Sequence, residues 1–251
     1  ELLPGDAGSA PALGDLDGDG LPEILVAFDS SLDALNGEDG SLLWSAPLHS
    51  RGLAPPKVAD LDGDGLLDVA VGIEQGPIYA LRGEDGSILW QYSASLHFSA
   101  TLALGDTDGD GRPEVLLEAR DATIYVLNGE DGSSLWSLPV GFGQVDPLAL
   151  GDLDGDGLLE ILVGAGSIAL NGEDGSLLWH VTGMSPVAPP GLGDVDGDGH
   201  LEVVVPNSVH FHDHHVSALN GEGGSALWSF TLGESSPTAV ALGDLDRDGR
   251  P

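Results

Sequence analysis

The chain has 251 residues, with 7 Lys and Arg against 42 Asp and Glu, a formal net charge of −35 and no cysteine. That balance excludes the clustered basic surface that nucleic acid and anionic membranes require, and the lack of thiols excludes disulfide staples and thiolate zinc sites. With 41% hydrophobic residues a real core can form, yet the apolar runs are only a few residues long, so membrane insertion is not expected. No charged region followed by a long apolar stretch opens the chain, so no signal peptide is read there.

Taken in order, the first element is a short strand A running into "DLDGDGLPE" at 15–23. Strand B leaves that acidic loop. Strand C runs into "NGEDGSLLW" at 36–44, and strand D carries Trp44. The same unit then returns. Acidic loops start at Asp15, Asp60, Asp106, Asp152, Asp194 and Asp244, and the second motif recurs at 82–90, 128–136, 171–179 and 220–228. Each copy brings one tryptophan, Trp90, Trp136, Trp179 and Trp228 after Trp44. In the third unit, strands A, B and C read as 101–105, 114–118 and 123–127. The Asn-Gly pairs at 36–37, 128–129, 171–172 and 220–221 are expected to supply the positive φ of tight hairpins. No apolar pattern keeps a helical period over ten positions.

Units of this length with four strands each predict an all-β chain, a β-propeller of about five four-stranded blades plus a partial sixth. An open β superhelix of the same repeats, a solenoid, is the alternative. The chain reads as a single repeat domain over 1–251, with repeats at approximately 9–53, 54–98, 99–145, 146–186, 187–236 and a partial copy at 237–251.

The acidic loop reads D-x-D-x-D-G-x-x-[DE]. Positions 1, 3 and 5 converge if the backbone coils around one point, Gly at position 6 permits the sharp turn, and position 9 closes the cage. The candidate metal ligands are therefore Asp15, Asp17, Asp19 and Glu23; Asp60, Asp62, Asp64 and Asp68; Asp106, Asp108, Asp110 and Glu114. The fourth and fifth loops offer Asp152, Asp154, Asp156 and Glu160, then Asp194, Asp196, Asp198 and Glu202. All-oxygen ligation by several carboxylates suits Ca²⁺, about five to six ions per chain, better than Mg²⁺ or zinc. An EF-hand is excluded, because position 12 is apolar (Val26, Val71, Leu117, Val163 and Val205) where that loop needs a bidentate Glu.

On these residues the chain resembles the FG-GAP and VCBS repeats, the type found in the integrin α-chain propeller and in many bacterial surface proteins. The "ALNGEDGSLLW" element is similar to the tryptophan docking motif of quinoprotein-like propellers. The resemblance implies a propeller with calcium in the A–B loops, and it implies no particular partner. Each Trp is expected to pack between neighbouring blades with its N–H on a backbone acceptor. No repeated basic constellation for a quinone is present.

The sixth loop, "DLDRDGRP", offers Asp244, Asp246 and Asp248 and stops at Pro251, while the chain opens Glu1-Leu2-Leu3. Read tail to head, Glu1 supplies the missing ninth position. Closure within one molecule, a head-to-tail filament of copies, and one period of a longer repetitive chain all fit.

"VHFHDHHVSALN" at 209–220 places His210, His212 and His214 on one face by alternation. That is a candidate Zn²⁺, Cu²⁺ or Ni²⁺ site, with a solvated polar hairpin tip as the plainer reading. No nucleophile elbow, zinc-protease helix or phosphate loop occurs, so no catalytic residue is assigned. The sequence thus points to a calcium-stabilised extracellular or cell-surface module, structural or adhesive, able to self-assemble or to meet a surface protein or glycan. A glycan-binding or carbohydrate-active propeller, with its site in loops such as 141–147 and 205–216, is the alternative.

Overall fold

The computed structural model describes residues 9–28, 30–48, 54–73, 76–93, 98–141, 148–210, 213–233 and 240–243. The first blade is β1 (Ala12–Gly14), β2 (Glu23–Phe28), β3 (Ser31–Leu35) and β4 (Leu42–Pro47). The second is β5 (Lys57–Ala59), β6 (Asp68–Gly72), β7 (Ile78–Leu81) and β8 (Ile88–Tyr92). The third is β9 (Phe98–Gly105), β10 (Glu114–Ala119), β11 (Thr123–Leu127) and β12 (Ser134–Pro139). The fourth is β13 (Ala149–Gly151), β14 (Glu160–Val163), β15 (Ile168–Leu170) and β16 (Leu177–His180), with a 3₁₀ turn at Gly164–Gly166. In the fifth, β17 (Ser185–Pro186) and β18 (Gly191–Gly193) both pair along β19 (Glu202–His210), followed by β20 (Asp213–Asn220) and β21 (Ala226–Gly233).

Every sheet among the described residues is antiparallel and ordered as its strands occur in sequence. Five such blade-like sheets fit a propeller and an open superhelix of the same repeats alike. The first three blades form one compact unit and the last two another.

Within each unit the core lies between blades. Strand β6 shows why its sequence, DVAVG, is apolar without alternation. Val69 and Val71 pack with Leu25, Leu32 and Trp44 of the first blade, while Ala70 packs with Val115 and Leu117 of the third. Both faces are covered, so both must be apolar. In the second unit Leu162, Ala169 and Trp179 pack with Val203, Val205 and Leu219 in the same way.

The tryptophans make the joints. Trp44 Nε1 donates to Gly83 O at 2.6 Å, Trp90 Nε1 to Gly129 O at 2.6 Å, and Trp179 Nε1 to Gly221 O at 2.5 Å. In each case the acceptor belongs to the C–D turn of the next blade. The second glycine of that turn lies under the indole: a Cβ on Gly86 or Gly132 would fall 2.6 Å from the ring of Trp44 or Trp90. Trp228 departs from the expectation of one packed tryptophan per repeat. It is 46% exposed, beside Phe230 at 64%, whereas Trp44, Trp90 and Trp179 are buried.

The Asn-Gly expectation is also corrected. The positive φ falls on the later glycine of the motif, as at Gly40 (70°) and Gly132 (70°), and the turn is a longer loop closed by Gly40 N donating to Asn36 O and Asn36 N to Ser41 O. The first glycine is required for space instead. A Cβ on Gly37, Gly83, Gly129, Gly172 or Gly221 would meet the carbonyl of Pro22, Leu67, Pro113, Leu159 or Leu201 at 1.9–2.2 Å. Those carbonyls are the eighth position of each blade's own acidic loop, so the two sequence motifs touch. A recurring bulge sets the tryptophan, with the C–D register shifting between Ala34 and Leu35 and at the matching place in every blade.

Two substitutions separate a joint from an exposed ring. Trp90→Phe removes the donor to Gly129 and should cost about 1–2 kcal/mol in denaturant unfolding. Trp228→Phe should stay within about 0.5 kcal/mol at low protein concentration. Equal costs would mean that the indole N–H does not hold the joint.

Candidate metal centre

Each acidic loop hangs between the end of strand A and the start of strand B, and its shape follows from carboxylates capping backbone N–H groups. In the first loop Asp15 accepts from Gly18 N and from Gly20 N, both at 2.9 Å. Asp17 Oδ1 accepts from Asp19 N at 3.2 Å, and Asp19 Oδ1 from Leu21 N at 2.8 Å. The loops at 60, 152 and 194 repeat this set, and Asp106 and Asp110 make the matching bonds to Gly111 and Arg112. Glycines at positions 4 and 6 both take positive φ, as Gly18 (77°) and Gly20 (90°) do. Position 4 is not part of the sequence pattern D-x-D-x-D-G, although the spelling D-G-D-G shared by the first five loops carries the signal.

The ninth position is the buried one. Glu23, Asp68, Glu114, Glu160 and Glu202 are each at most 2% exposed. One oxygen is anchored to the loop's second residue: Glu23 Oε2 accepts from Leu16 N at 2.8 Å, Asp68 Oδ2 from Leu61 N at 3.1 Å, Glu160 Oε2 from Leu153 N at 2.7 Å, and Glu202 Oε2 from Val195 N at 2.8 Å. The side chains of Leu16, Leu61 and Leu153 are themselves fully buried in the blade cores, which fixes the loop from below.

Five groups bring three carboxylate oxygens within 4.8 Å of one another: Asp15, Asp17 and Asp19; Asp60, Asp62 and Asp68; Asp106, Asp108 and Glu114; Asp152, Asp154 and Glu160; Asp194, Asp196 and Glu202. In the first group position 5 stands where the other four use position 9. Asp64, Asp110, Asp156 and Asp198 sit in the same loops just outside these tightest triplets, as does Glu23.

The electrostatics favour a cation. Burial pushes Asp68 from 3.8 up to about 6, with the nearby Asp62 charge adding to it. Burial likewise raises Glu160 and Glu202, again with two loop aspartates adding repulsion. Glu202 Oε1 is fully buried and has no hydrogen-bond partner among the described residues. A buried carboxylate with an unmet oxygen beside like charges is costly unless a cation faces it. The donor set therefore fits a hard divalent metal, and the five clusters could hold metal ions.

The remaining candidates are less informative. Asp244, Asp246, Asp248, Glu1 and His212 lie outside the described residues, as does most of the 141–147 loop. His210 ends β19 and His214 lies on β20, opposite Ser208. His214 Nδ1 is buried with no hydrogen-bond partner among the described residues, while His215 Nδ1 is 3.2 Å from Thr231 Oγ1. No metal-ligand triplet among the described residues includes a histidine. No helix among them is long and apolar enough to cross a membrane.

A model of the FG-GAP-like repeat matches residues 15–71, 60–117, 106–163 and 194–251. Among solved structures, the biofilm matrix protein Bap1 of V. cholerae is similar over 94% of this chain, at 26% identity and a TM-score of 0.64. BamB from Moraxella catarrhalis is similar over 90%, at 20% identity and a TM-score of 0.60, and the computationally designed Ika8 protein over 94%, at 16% and 0.67. The chain spans 41% of the Bap1 chain and 65% of each of the other two, so it matches less than two thirds of their length. No curated protein sequence matches the chain significantly.

The raised acids set a pH response for metal-free protein. Between 3.8 and about 6 the folded chain keeps the Asp68 proton that the unfolded chain releases, so stability is full below that window and falls as pH rises through it. Asp39, Asp85, Asp131 and Asp174 are lowered by bonds from the turn serines, so their opposing contribution is lost only as pH falls below the window. In chelator, the melting temperature should therefore drop between pH 4 and 6, about the window set by Asp68. A rise there would overturn the burial argument.

Proposed function

The chain belongs to the FG-GAP-like repeat family, and on that premise we propose that it is a calcium-stabilised structural or adhesive module working outside the cell. The observation that carries the reading is the buried ninth-position acid, seen most plainly in the unmet Oε1 of Glu202. Ca²⁺ accepts about 6–8 oxygens in flexible geometry, whereas Mg²⁺ keeps its waters and zinc prefers nitrogen or sulfur. The acids at positions 1, 3, 5 and 9 of each loop would hold the ion, Asp15, Asp17, Asp19 and Glu23 in the first. A bound ion would supply the positive charge that these crowded carboxylates lack. Calcium is millimolar outside cells, where weak sites of this kind stay filled. Likeness to a biofilm matrix protein agrees with an extracellular, structural setting.

Self-assembly belongs to the same proposal, and one pair of features favours it. The exposed Trp228 repeats the strand D tryptophan that docks elsewhere on a Gly-x-x-Gly turn. The turn of the first blade offers such a seat: a Cβ on Gly40 would meet nothing within 4 Å among the described residues, where those on Gly86, Gly132 and Gly224 would strike an indole. Trp228 of one copy on the Gly37–Gly40 turn of another gives a heterologous, head-to-tail contact.

Two measurements test these readings. Chelation should lower the melting temperature by about 5 °C or more, and calcium but not magnesium should restore it. An unchanged transition would remove calcium from the account. In sedimentation velocity with calcium, the average mass should rise with protein concentration, and Trp228→Ala should abolish the rise. Concentration-independent monomer in the unsubstituted chain would dismiss the head-to-tail contact.

A further inference from the structure

The loop at 60–68 differs from the other four in what surrounds it. Asparagine opens the C–D turn in four repeats (Asn36, Asn128, Asn171 and Asn220), and Arg82 replaces it in the second. The Arg82 guanidinium reaches back to the acidic loop of its own blade, with Nη2 3.3 Å from Asp62 Oδ2 and Nη1 3.6 Å from Asp64 Oδ2. The other oxygens of these two side chains are already occupied, Asp62 Oδ1 by Asp64 N and Asp64 Oδ1 by Leu66 N. Arg82 therefore sits on the oxygens that remain for a metal.

A second cation adjoins the same loop. The seventh position of each loop lies against the fourth-position glycine of the loop before it, as Leu66 does against Gly18 and His200 against Gly155. At Gly63 that neighbour is Arg112, whose Nε would be 2.7 Å from an added Cβ. Arg112 is paired with Glu130, so it lends field rather than a direct bond to the loop. The chain has only 7 Lys and Arg, and two of them stand at this one loop. Its ninth position is also Asp68, one methylene shorter than the Glu of the other four.

We propose that Arg82 is a built-in counter-cation that makes loop 60–68 the weakest calcium site among the five described loops and the one of them least dependent on the ion. The inference rests on the reading of these loops as calcium sites. A guanidinium fork bridging two carboxylates relieves part of their repulsion and ties the C–D turn to the loop. An ion entering the loop has to displace it, and the half-exposed arginine stem can swing into solvent. As calcium falls, this site empties first of the five, and its blade keeps a guanidinium bridge between Asp62 and Asp64.

Hydrogen exchange read by peptide mass spectrometry over a calcium titration tests this loop by loop. In the unsubstituted chain, residues 60–68 should gain protection at a higher calcium concentration than 15–23, 106–114, 152–160 and 194–202, and should exchange more slowly than these in chelator. Arg82→Asn, which restores the residue of the other repeats, should lower the calcium midpoint of 60–68 by roughly five-fold, the scale of one partly exposed ion pair. It should also speed exchange of that loop in chelator. Arg112→Leu, which puts there the residue found at Leu21, Leu66 and Leu158, removes the same charge without breaking the bridge and should shift the midpoint less than half as far. An unchanged midpoint in Arg82→Asn, or an equal shift in both variants, overturns the role of Arg82. If no loop in any variant responds to calcium, the calcium reading itself fails.

Discussion

A carboxylate buried at the first residue of each second strand organises everything around it. As Glu23, Asp68, Glu160 and Glu202, it accepts a hydrogen bond from the N–H at loop position 2, and so fixes the loop against the strand that follows. The same residue stands opposite the last residue of strand A in every blade: Gly14 faces Glu23, Ala59 faces Asp68, Gly105 faces Glu114, Gly151 faces Glu160 and Gly193 faces Glu202. Strand register and the anchoring of the loop thus meet at one side chain. Burial raises the affinity of Asp68, Glu160 and Glu202 for a proton, and a cation facing them would favour the ionised form.

The second motif is built onto the first. Its leading glycine lies on the eighth-position carbonyl of the acidic loop, and its own carbonyl accepts the indole N–H of the preceding blade. A disturbance of the loop is thereby felt at the joint between blades, through backbone contacts that no side-chain rearrangement can absorb. In repeat proteins, stability is approximately a sum of unit and nearest-neighbour terms. Here the two terms share a glycine.

Much of this was legible in the sequence because it is local and repeated. The beat of the Asp loops, the four strands per unit and the alternate carboxylates all lie within a few residues of one another. The role of Gly37 was not legible. Its constraint comes from Pro22, in the acidic loop, and the Asn-Gly spelling suggested a tight turn instead. The C–D bulge leaves no compositional mark. In sequence Arg82 is only a change from Asn in a polar turn; its reach to Asp62 and Asp64 depends on the fold. Trp228 is spelled like Trp44; what separates them is the surface that each one faces, which lies far away in sequence.

Because the joints made by Trp44, Trp90 and Trp179 use the same knob and the same socket, their fit does not depend on which two of these blades meet. The Trp of one unit asks only for a Gly-x-x-Gly turn in its successor, and Trp44, Trp90 and Trp179 find it in sequences that differ elsewhere. A gene encoding such a chain can gain or lose whole repeats by unequal recombination and still yield matching junctions. Copy number is then free to drift while the interface stays under constraint, and single repeats can diverge, as the second has with Arg82, without costing their neighbours a partner.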